Sequence, residues 1–372
     1  MKAGIITFHS AHNYGAVLQA YALKTVIEKL GLECEIIDYR PDVISRPYQL
    51  PSFQSPWGLR CNFRKLFYGL FAKKYREAKY EKYEKFIVSN LNLSAQKYIS
   101  YDDLSKNAQD YDIFICGSDQ IWNPEITGLD PAYFLSFVPS DKKKVAYAAS
   151  FGIPDTPQRY HAVLKKLLEG IECISVREKE GKRIINFLTG KNVDVVLDPT
   201  LLLNEEEWGK VSEPRPSLKG KRYVLCYYFQ ENKRLDNISI KCSKIMGIPR
   251  VIINASNKDR FSGAIPVFDA GPSEFIKLFK EASFVVTNSF HGVAFSINFK
   301  KPFFVDLLDR EFAPRNSRLI SILENLNLST RLVSNFANVN AKSMNLDFKE
   351  AIIKLNTLKE KSLNFLKKSI CE

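Results

Sequence analysis

Histidine is scarce in this chain, and of the four present His291 is the best placed for proton transfer. It follows the apolar run SFVVTNS (283–289) and precedes Gly292, at a strand-to-helix switch. An imidazole with an ordinary pKa of about 6.5 can give or take a proton near neutrality. His161, within QRYHAVLKK, reads as a surface residue of a helix. Arg177 closes the run ISVRE, where a guanidinium can grip a carboxylate or phosphate through two parallel hydrogen bonds; the alternative is a pair with Glu178 or a surface carboxylate. Because Arg177 and His291 both terminate strands, neither is expected in the core. GSDQIWNP (117–124) sets Asp119, Gln120 and Trp122 within four residues. Polar groups for hydroxyls and an aromatic face for C–H surface are what a sugar pocket uses, although the same residues could be an Asp cap beside a buried Trp. His12-Asn13-Tyr14-Gly15 leads from the first strand into a helix, whose free N–H groups and Gly15 suit an anion or a hydroxyl-rich ligand; the alternative is a tight turn with an Asn cap. Asp198 in LDPTLLL reads mainly as a turn residue.

The composition narrows the class of function. With 45% hydrophobic and 26% charged residues over 372 positions, the chain has globular proportions and a prior of about two domains. No stretch reaches the ~20 apolar residues that span a bilayer, and MKAGIITFHSAHNYG turns polar too soon for a secretory signal, so a cytoplasmic protein is expected. Seven cysteines, with no C-x-x-C pair, read as reduced core residues and argue against zinc; no metal site is expected. The net charge of +13 suits a polyanionic partner. Between Arg60 and Lys85 nine basic residues face three acidic ones, interleaved with Phe and Tyr at helical spacing. Neither G-x-G-x-x-G nor a P-loop signature occurs, which removes most support for dinucleotide binding or P-loop chemistry.

The elements that must position these residues alternate. AGIITF (3–8), a helical pattern from Gly15 to Leu30 with Asn13 as cap and Gly31 as stop, and CEIIDY (34–39) make a βαβ opening. Apolar runs follow at 112–119, 144–152, 173–178 and 193–200, with helical segments near 157–169 and 178–189. Beyond a polar stretch rich in Pro and Gly, a second set of strands is expected at 222–229, 249–255, 283–289 and 301–307, with a helix led by Pro272 and a helical tail from about 315. The expected fold is α/β and GT-B-like: two doubly wound Rossmann-type domains facing a central cleft, closed by C-terminal helices. The expected boundaries are 1–204 for the N-terminal domain, 205–221 for a linker, 222–340 for the C-terminal domain and 341–372 for a helical tail. In such sheets ligands sit beyond the carboxyl ends of the strands.

Taken in order, NYGAVLQAYAL, GSDQIWNP, SVRE, VLDPTLLL, TNSFHGVAFSINFKKPF and NSRL resemble the polysaccharide pyruvyl transferase family over roughly residues 3 to 330. The resemblance implies transfer of pyruvate from phosphoenolpyruvate onto two hydroxyls of a sugar in a cell-surface polysaccharide precursor, giving a cyclic ketal and phosphate. It implies a donor side made by Arg177, Ser289, His291, Arg315 and Arg318, with His291 as proton donor or phosphate ligand. Some members of the family carry Arg two residues before this His, where this chain has Ser289. The missing charge is then assigned to Arg315, Arg318 or Lys301. The acceptor side falls to Asn13, Tyr14, Gly15, Asp119, Gln120 and Trp122.

That chemistry asks for an acid, a base and cations, with phosphoenolpyruvate as co-substrate and no separate cofactor. His291 is assigned as acid, Asp119 as acceptor-side base and Arg177 as fixed electrostatic stabiliser. The alternative function is a GT-B glycosyltransferase with a nucleotide-sugar donor, since a fold hosts many chemistries. Nucleic-acid binding ranks third for want of a recognised module. The basic stretch, with Lys73, Lys74 and Arg76, suits an amphipathic helix in peripheral contact with an anionic membrane, which would carry the cleft to a polyprenyl-diphosphate-linked acceptor. The competing reading is a solvated helix face.

Overall fold

The computed structural model describes residues 1–48, 63–108, 110–230, 232–255, 263–309, 312–313, 316–333 and 339–371, with the backbone alone for 63–72 and 371. Among them seven strands form one parallel sheet: β1 (Lys2–Ile6), β2 (Glu33–Tyr39), β3 (Leu93–Tyr98), β4 (Ile113–Cys116), β5 (Lys143–Ala149), β6 (Cys173–Val176) and β7 (Asp194–Val195), in the order β3-β2-β1-β4-β5-β6-β7. A second parallel sheet holds β8 (Val224–Tyr227), β9 (Arg250–Ile253), β10 (Ile265–Val267), β11 (Phe284–Thr287) and β12 (Phe303–Val305), ordered β10-β9-β8-β11-β12. In each sheet the order reverses beside the first strand, which makes both doubly wound and the whole a GT-B-like α/β fold.

The local reasons are those of the sequence. Four of the five residues of β1 are buried, as a strand covered on both faces requires. The helix Tyr14–Lys29 starts where Asn13 Oδ1 accepts from Gly15 N at 2.9 Å and Ala16 N at 3.4 Å, and the chain leaves it through Gly31 at φ +91°. Three strands depart from the sequence pattern, one of them β10, a three-residue edge strand with no expected counterpart. The run at 193–200 is a strand only over Asp194–Val195, because Asp198-Pro199 opens a 3₁₀ turn in which Asp198 caps Thr200 N. The edge strand β3, LSAQKY, has three exposed residues in its middle and carries little apolar signal.

Two features join the halves. Tyr14 stacks on Phe275 with ring centroids 4.2 Å apart, Asn298 Nδ2 donates to Thr200 O at 2.7 Å, and one apolar core runs continuously from β1 to the helix Phe290–Asn298. The helix Phe63–Asn90 also reaches across. Lys79 Nζ donates to Asn254 Oδ1 at 2.6 Å, Lys82 Nζ to Glu274 Oε2 at 2.8 Å, and Lys85 pairs with Glu213 at 3.3 Å. Three of the nine basic residues therefore pair with residues of the second half, while Arg60, Arg64 and Lys65 lie outside the described side chains. The last helix, Lys349–Cys371, returns to the first sheet, where Ser362 Oγ accepts from Leu197 N at 3.0 Å and Phe365 meets Tyr147. Among the described residues no helix is long and apolar enough to cross a membrane.

Candidate active site

The carboxyl ends of β4, β6 and β11 converge. After β4, Gly117 and Ser118 lead to Asp119, whose φ of +85° is costly for a residue with a Cβ; a parallel bridge to Ala149 holds it there. Its Oδ1 accepts from Gln120 N at 2.9 Å and lies 3.6 Å from Arg177 Nη2. After β6, Arg177 turns inward and is only 5% exposed. Its Nη1 donates to Asp198 Oδ2 at 2.6 Å, while among the described residues Nε and Nη2 have no hydrogen-bond partner. Asp198 also accepts from Ser118 Oγ at 3.0 Å and from Thr200 Oγ1 at 2.6 Å. Burial works against the Asp198 charge, but Arg177, His291 and the Thr200 hydrogen bonds outweigh it and hold the carboxyl at about 2.

After β11, Ser289 caps the helix Phe290–Asn298, its Oγ accepting from Gly292 N at 3.5 Å. His291 is buried, with Nε2 3.9 Å from Asp198 Oδ2 and without a hydrogen-bond partner. Burial lowers its pKa below the ordinary value; Asp198 and Asp119 oppose that shift, and Arg177 and Arg318 add to it. The unliganded imidazole is therefore neutral at pH 7. Phe290 lies between two guanidiniums, with Arg177 5.1 Å and Arg318 6.0 Å from its ring centroid. The resulting pocket is lined from the first half by Asn13, Asp119 and Gln120, and from the second by Ser289, His291 and Arg318.

The structure thus brings together six of the residues expected from sequence and places the others elsewhere. Trp122 is fully buried, donates Nε1 to Tyr133 O at 3.0 Å and stacks on Phe134, so it offers no face to a sugar. Tyr14 is equally withdrawn, its hydroxyl donating to Ala270 O at 2.7 Å. Gly15 does not line the pocket but makes room for His291. Arg177 sits beneath the pocket, behind Phe290 and Asp119, and like His291 it is a buried residue, contrary to the expectation for strand ends. The reason is local: Asp198, Asp119 and Glu178 together supply enough negative charge to hold a guanidinium out of water. Lys301 does not line the pocket and lies among Glu205, Lys280 and Glu281. Arg315 falls outside the described residues. His161 is, as expected, peripheral, with Nε2 2.8 Å from Thr156 O.

Two contributors were not singled out as site residues. Asp198, read as a turn residue, anchors Arg177 and faces His291; its position at the end of an apolar run was the available signal. Asn288 shapes the pocket by fastening the loop after β8, its Oδ1 accepting from Phe229 N at 2.7 Å and its Nδ2 donating to Gln230 O at 2.8 Å. Among the described residues no cluster of His, Cys, Asp and Glu could hold a metal ion.

Comparison with known proteins adds to this geometry. The sequence matches the family Polysaccharide pyruvyl transferase over residues 13–305. No curated protein matches it significantly. Among solved structures, it is similar to a putative UDP-N-acetylglucosamine 2-epimerase from Listeria monocytogenes (13% identity, 99% of this chain and 90% of that chain, TM-score 0.49). It is also similar to the UDP-GlcNAc 2-epimerase from Neisseria meningitidis bound to UDP-GlcNAc (10% identity, 100% and 94%, TM-score 0.49).

Proposed function

Because the chain belongs to the polysaccharide pyruvyl transferase family, we propose that it moves pyruvate from phosphoenolpyruvate onto two hydroxyls of one sugar in a polysaccharide precursor, forming a cyclic ketal and releasing phosphate. The observation that carries this reading is the meeting of Asp119 from one half with His291 and Arg318 from the other in a single pocket, above the buried Arg177–Asp198 pair. That set contains an acid, a base and fixed positive charge, which is what the reaction asks for.

In this reading His291, protonated when the trianionic donor binds, gives its proton to the methylene carbon of phosphoenolpyruvate and leaves C2 cationic. A sugar hydroxyl attacks C2 and surrenders its proton to Asp119. The C2–O bond to phosphate then breaks, the second hydroxyl bonds to C2 with loss of its own proton, and one of the two released protons leaves on hydrogen phosphate while the other restores the acid. Arg318 holds the donor's negative charge. Arg177 adds positive potential from below, fixed in place by Asp198 before substrate arrives. Ser289 caps a helix where some relatives carry Arg, so Arg318 is the described cation that stands in for it.

The test is acceptor-dependent release of phosphate from phosphoenolpyruvate, with the product examined for a pyruvate ketal by mass spectrometry. Consumption of a nucleotide sugar with release of nucleotide, and no turnover of phosphoenolpyruvate, would instead identify a glycosyltransferase.

A further inference from the structure

A ketal requires two hydroxyls to lose protons, whereas the donor pocket offers one carboxylate, Asp119, at its wall. The pocket itself is narrow, about 80 Å³. Beside it opens a cleft of about 530 Å³, and Asn13, Tyr227 and Phe229 line both, so the two spaces are adjacent compartments of one site. The cleft is lined by His12, Tyr48, Lys79 and Tyr80.

His12 is held in a particular way. Its Nε2 is 2.8 Å from Glu84 Oε1, and its ring stacks on Tyr83 at 5.0 Å and meets Tyr80 at 4.6 Å. Glu84 is in turn gripped by Arg40 Nη1 at 3.3 Å. The hydrogen bond from His12, and then Arg40, hold the Glu84 carboxyl below the usual carboxylate range against the effect of burial. An ionised Glu84 can only accept, so the His12 proton in this contact sits on Nε2, which makes Nδ1 the ring nitrogen left to accept a proton. Among the described residues Nδ1 has no hydrogen-bond partner. A carboxylate that fixes a tautomer and leaves the opposite nitrogen basic is the arrangement by which imidazoles take protons from hydroxyls.

We infer that this cleft is the acceptor subsite, that it takes a pyranose ring against Tyr48 and Tyr80, and that His12, oriented by Glu84, accepts the proton of one of the two reacting hydroxyls. Aromatic walls suit the C–H face of a sugar, while Lys79 and His12 provide a donor and an acceptor for its edge. As that hydroxyl oxygen bonds to C2, its O–H bond breaks, the proton moves to Nδ1, and the imidazolium so formed is stabilised by Glu84 until the proton passes, through solvent, to the departing phosphate. The inference rests on the pyruvyl-transfer reading for the chemical step, though not for sugar binding.

Two experiments test it. In the first, saturation-transfer NMR with a panel of methyl pyranosides and no phosphoenolpyruvate should detect binding to the wild-type protein, with at least ~10-fold weaker binding to Tyr48→Ala, a residue 37% exposed whose loss leaves the core intact. Absence of any pyranoside binding, or equal binding to both proteins, overturns the subsite whatever the donor proves to be. In the second, His12→Ala should lower kcat at least ~10²-fold with the KM for phosphoenolpyruvate unchanged, added imidazole should restore part of the rate, and Glu84→Gln should fall between. An unaltered kcat in His12→Ala, or a loss that imidazole does not relieve while the variant melts like wild type, overturns the role of His12. A wild-type protein that binds pyranosides at Tyr48 yet turns over no phosphoenolpyruvate would uphold the subsite and remove the pyruvyl-transfer reading.

Discussion

Gly15 and His291 touch so closely that a Cβ added to Gly15 would lie 2.1 Å from His291 Nδ1. The two residues come from opposite halves of the molecule, so the position of His291 is set by a helix of the other half. Such a contact leaves no room for a methyl group without displacing the ring.

Gly15→Ala should therefore cost activity far more than stability. Within a helix Ala is favoured over Gly by ~1 kcal/mol, which offsets part of the ~1–3 kcal/mol that overpacking costs. We expect kcat to fall at least ~10²-fold through displacement of the His291 ring, with only a modest fall in melting temperature. Turnover at the wild-type rate would show that His291 need not hold this position.

Arg177→Ala should do the reverse of a simple binding-site mutation and destabilise the fold as well as abolish turnover. Removing one partner of a buried ion pair strands the other, at a cost of ~3–5 kcal/mol. Arg177→Lys should rescue poorly, since an ammonium cannot reproduce a fork directed at Asp198 and Asp119. A chemical-denaturation curve for Arg177→Ala that overlays wild type would contradict this account.

The same pair predicts a pH dependence of stability. Asp198 is held at about 2 in the folded protein, below the ~3.9 of an unfolded aspartate, so its contribution is present above pH ~4 and lost as the pH falls toward 2. Asp198→Asn should accordingly be less stable than wild type at pH 7, and the gap should close across that acid window. A gap of constant size from pH 7 to pH 2, read by denaturant melts, would be incompatible with a depressed pKa.

Donor binding should consume a proton. The buried His291 is neutral at pH 7 when the site is empty, and a trianion beside it favours the imidazolium. Calorimetric titration of phosphoenolpyruvate in buffers of different ionisation enthalpy should report uptake in wild type and less in His291→Gln. Because the acid form is required, kcat/KM should decline as the pH rises through the lowered pKa of the free enzyme. Equal proton uptake in both proteins would point to another group.

Any membrane contact would fall to basic residues that do not bridge the two halves. Lys79, Lys82 and Lys85 are engaged with the second half, which leaves Lys73, Lys74 and Arg76 exposed on the same helix, and Arg76 also lines the larger cleft. Lys73→Glu with Lys74→Glu should reduce sedimentation with anionic liposomes and slow turnover of a lipid-linked acceptor, while a soluble acceptor is processed as before. Undiminished sedimentation, or an equal slowing on both acceptors, would leave the helix a purely structural bridge.

Much of this architecture is legible in the residues themselves. Continuous apolar runs ending in Thr7, Gly117 and Thr287 mark strands buried on both faces, and the polar residues just beyond them are where the pocket forms. What the sequence hides is of two kinds. Burial of a polar residue depends on partners distant in the chain: Arg177 is drawn inward by Asp198 and Asp119, and Glu84 reaches His12 across 72 positions. Side-chain direction is the other, because Trp122 and Asp119 are three residues apart yet one enters the core and the other the pocket, the change being made at the left-handed Asp119 itself. Edge strands such as β3 are hidden because their exposed positions are polar.

The return of the helix Lys349–Cys371 to the first sheet also has a bearing on the order of synthesis. The backbone amide of Leu197 finds its partner in Ser362, and Tyr147 finds a ring neighbour in Phe365. The half of the molecule that leaves the ribosome first thus lacks one of its own covering helices until Lys349–Cys371 has followed the second sheet out.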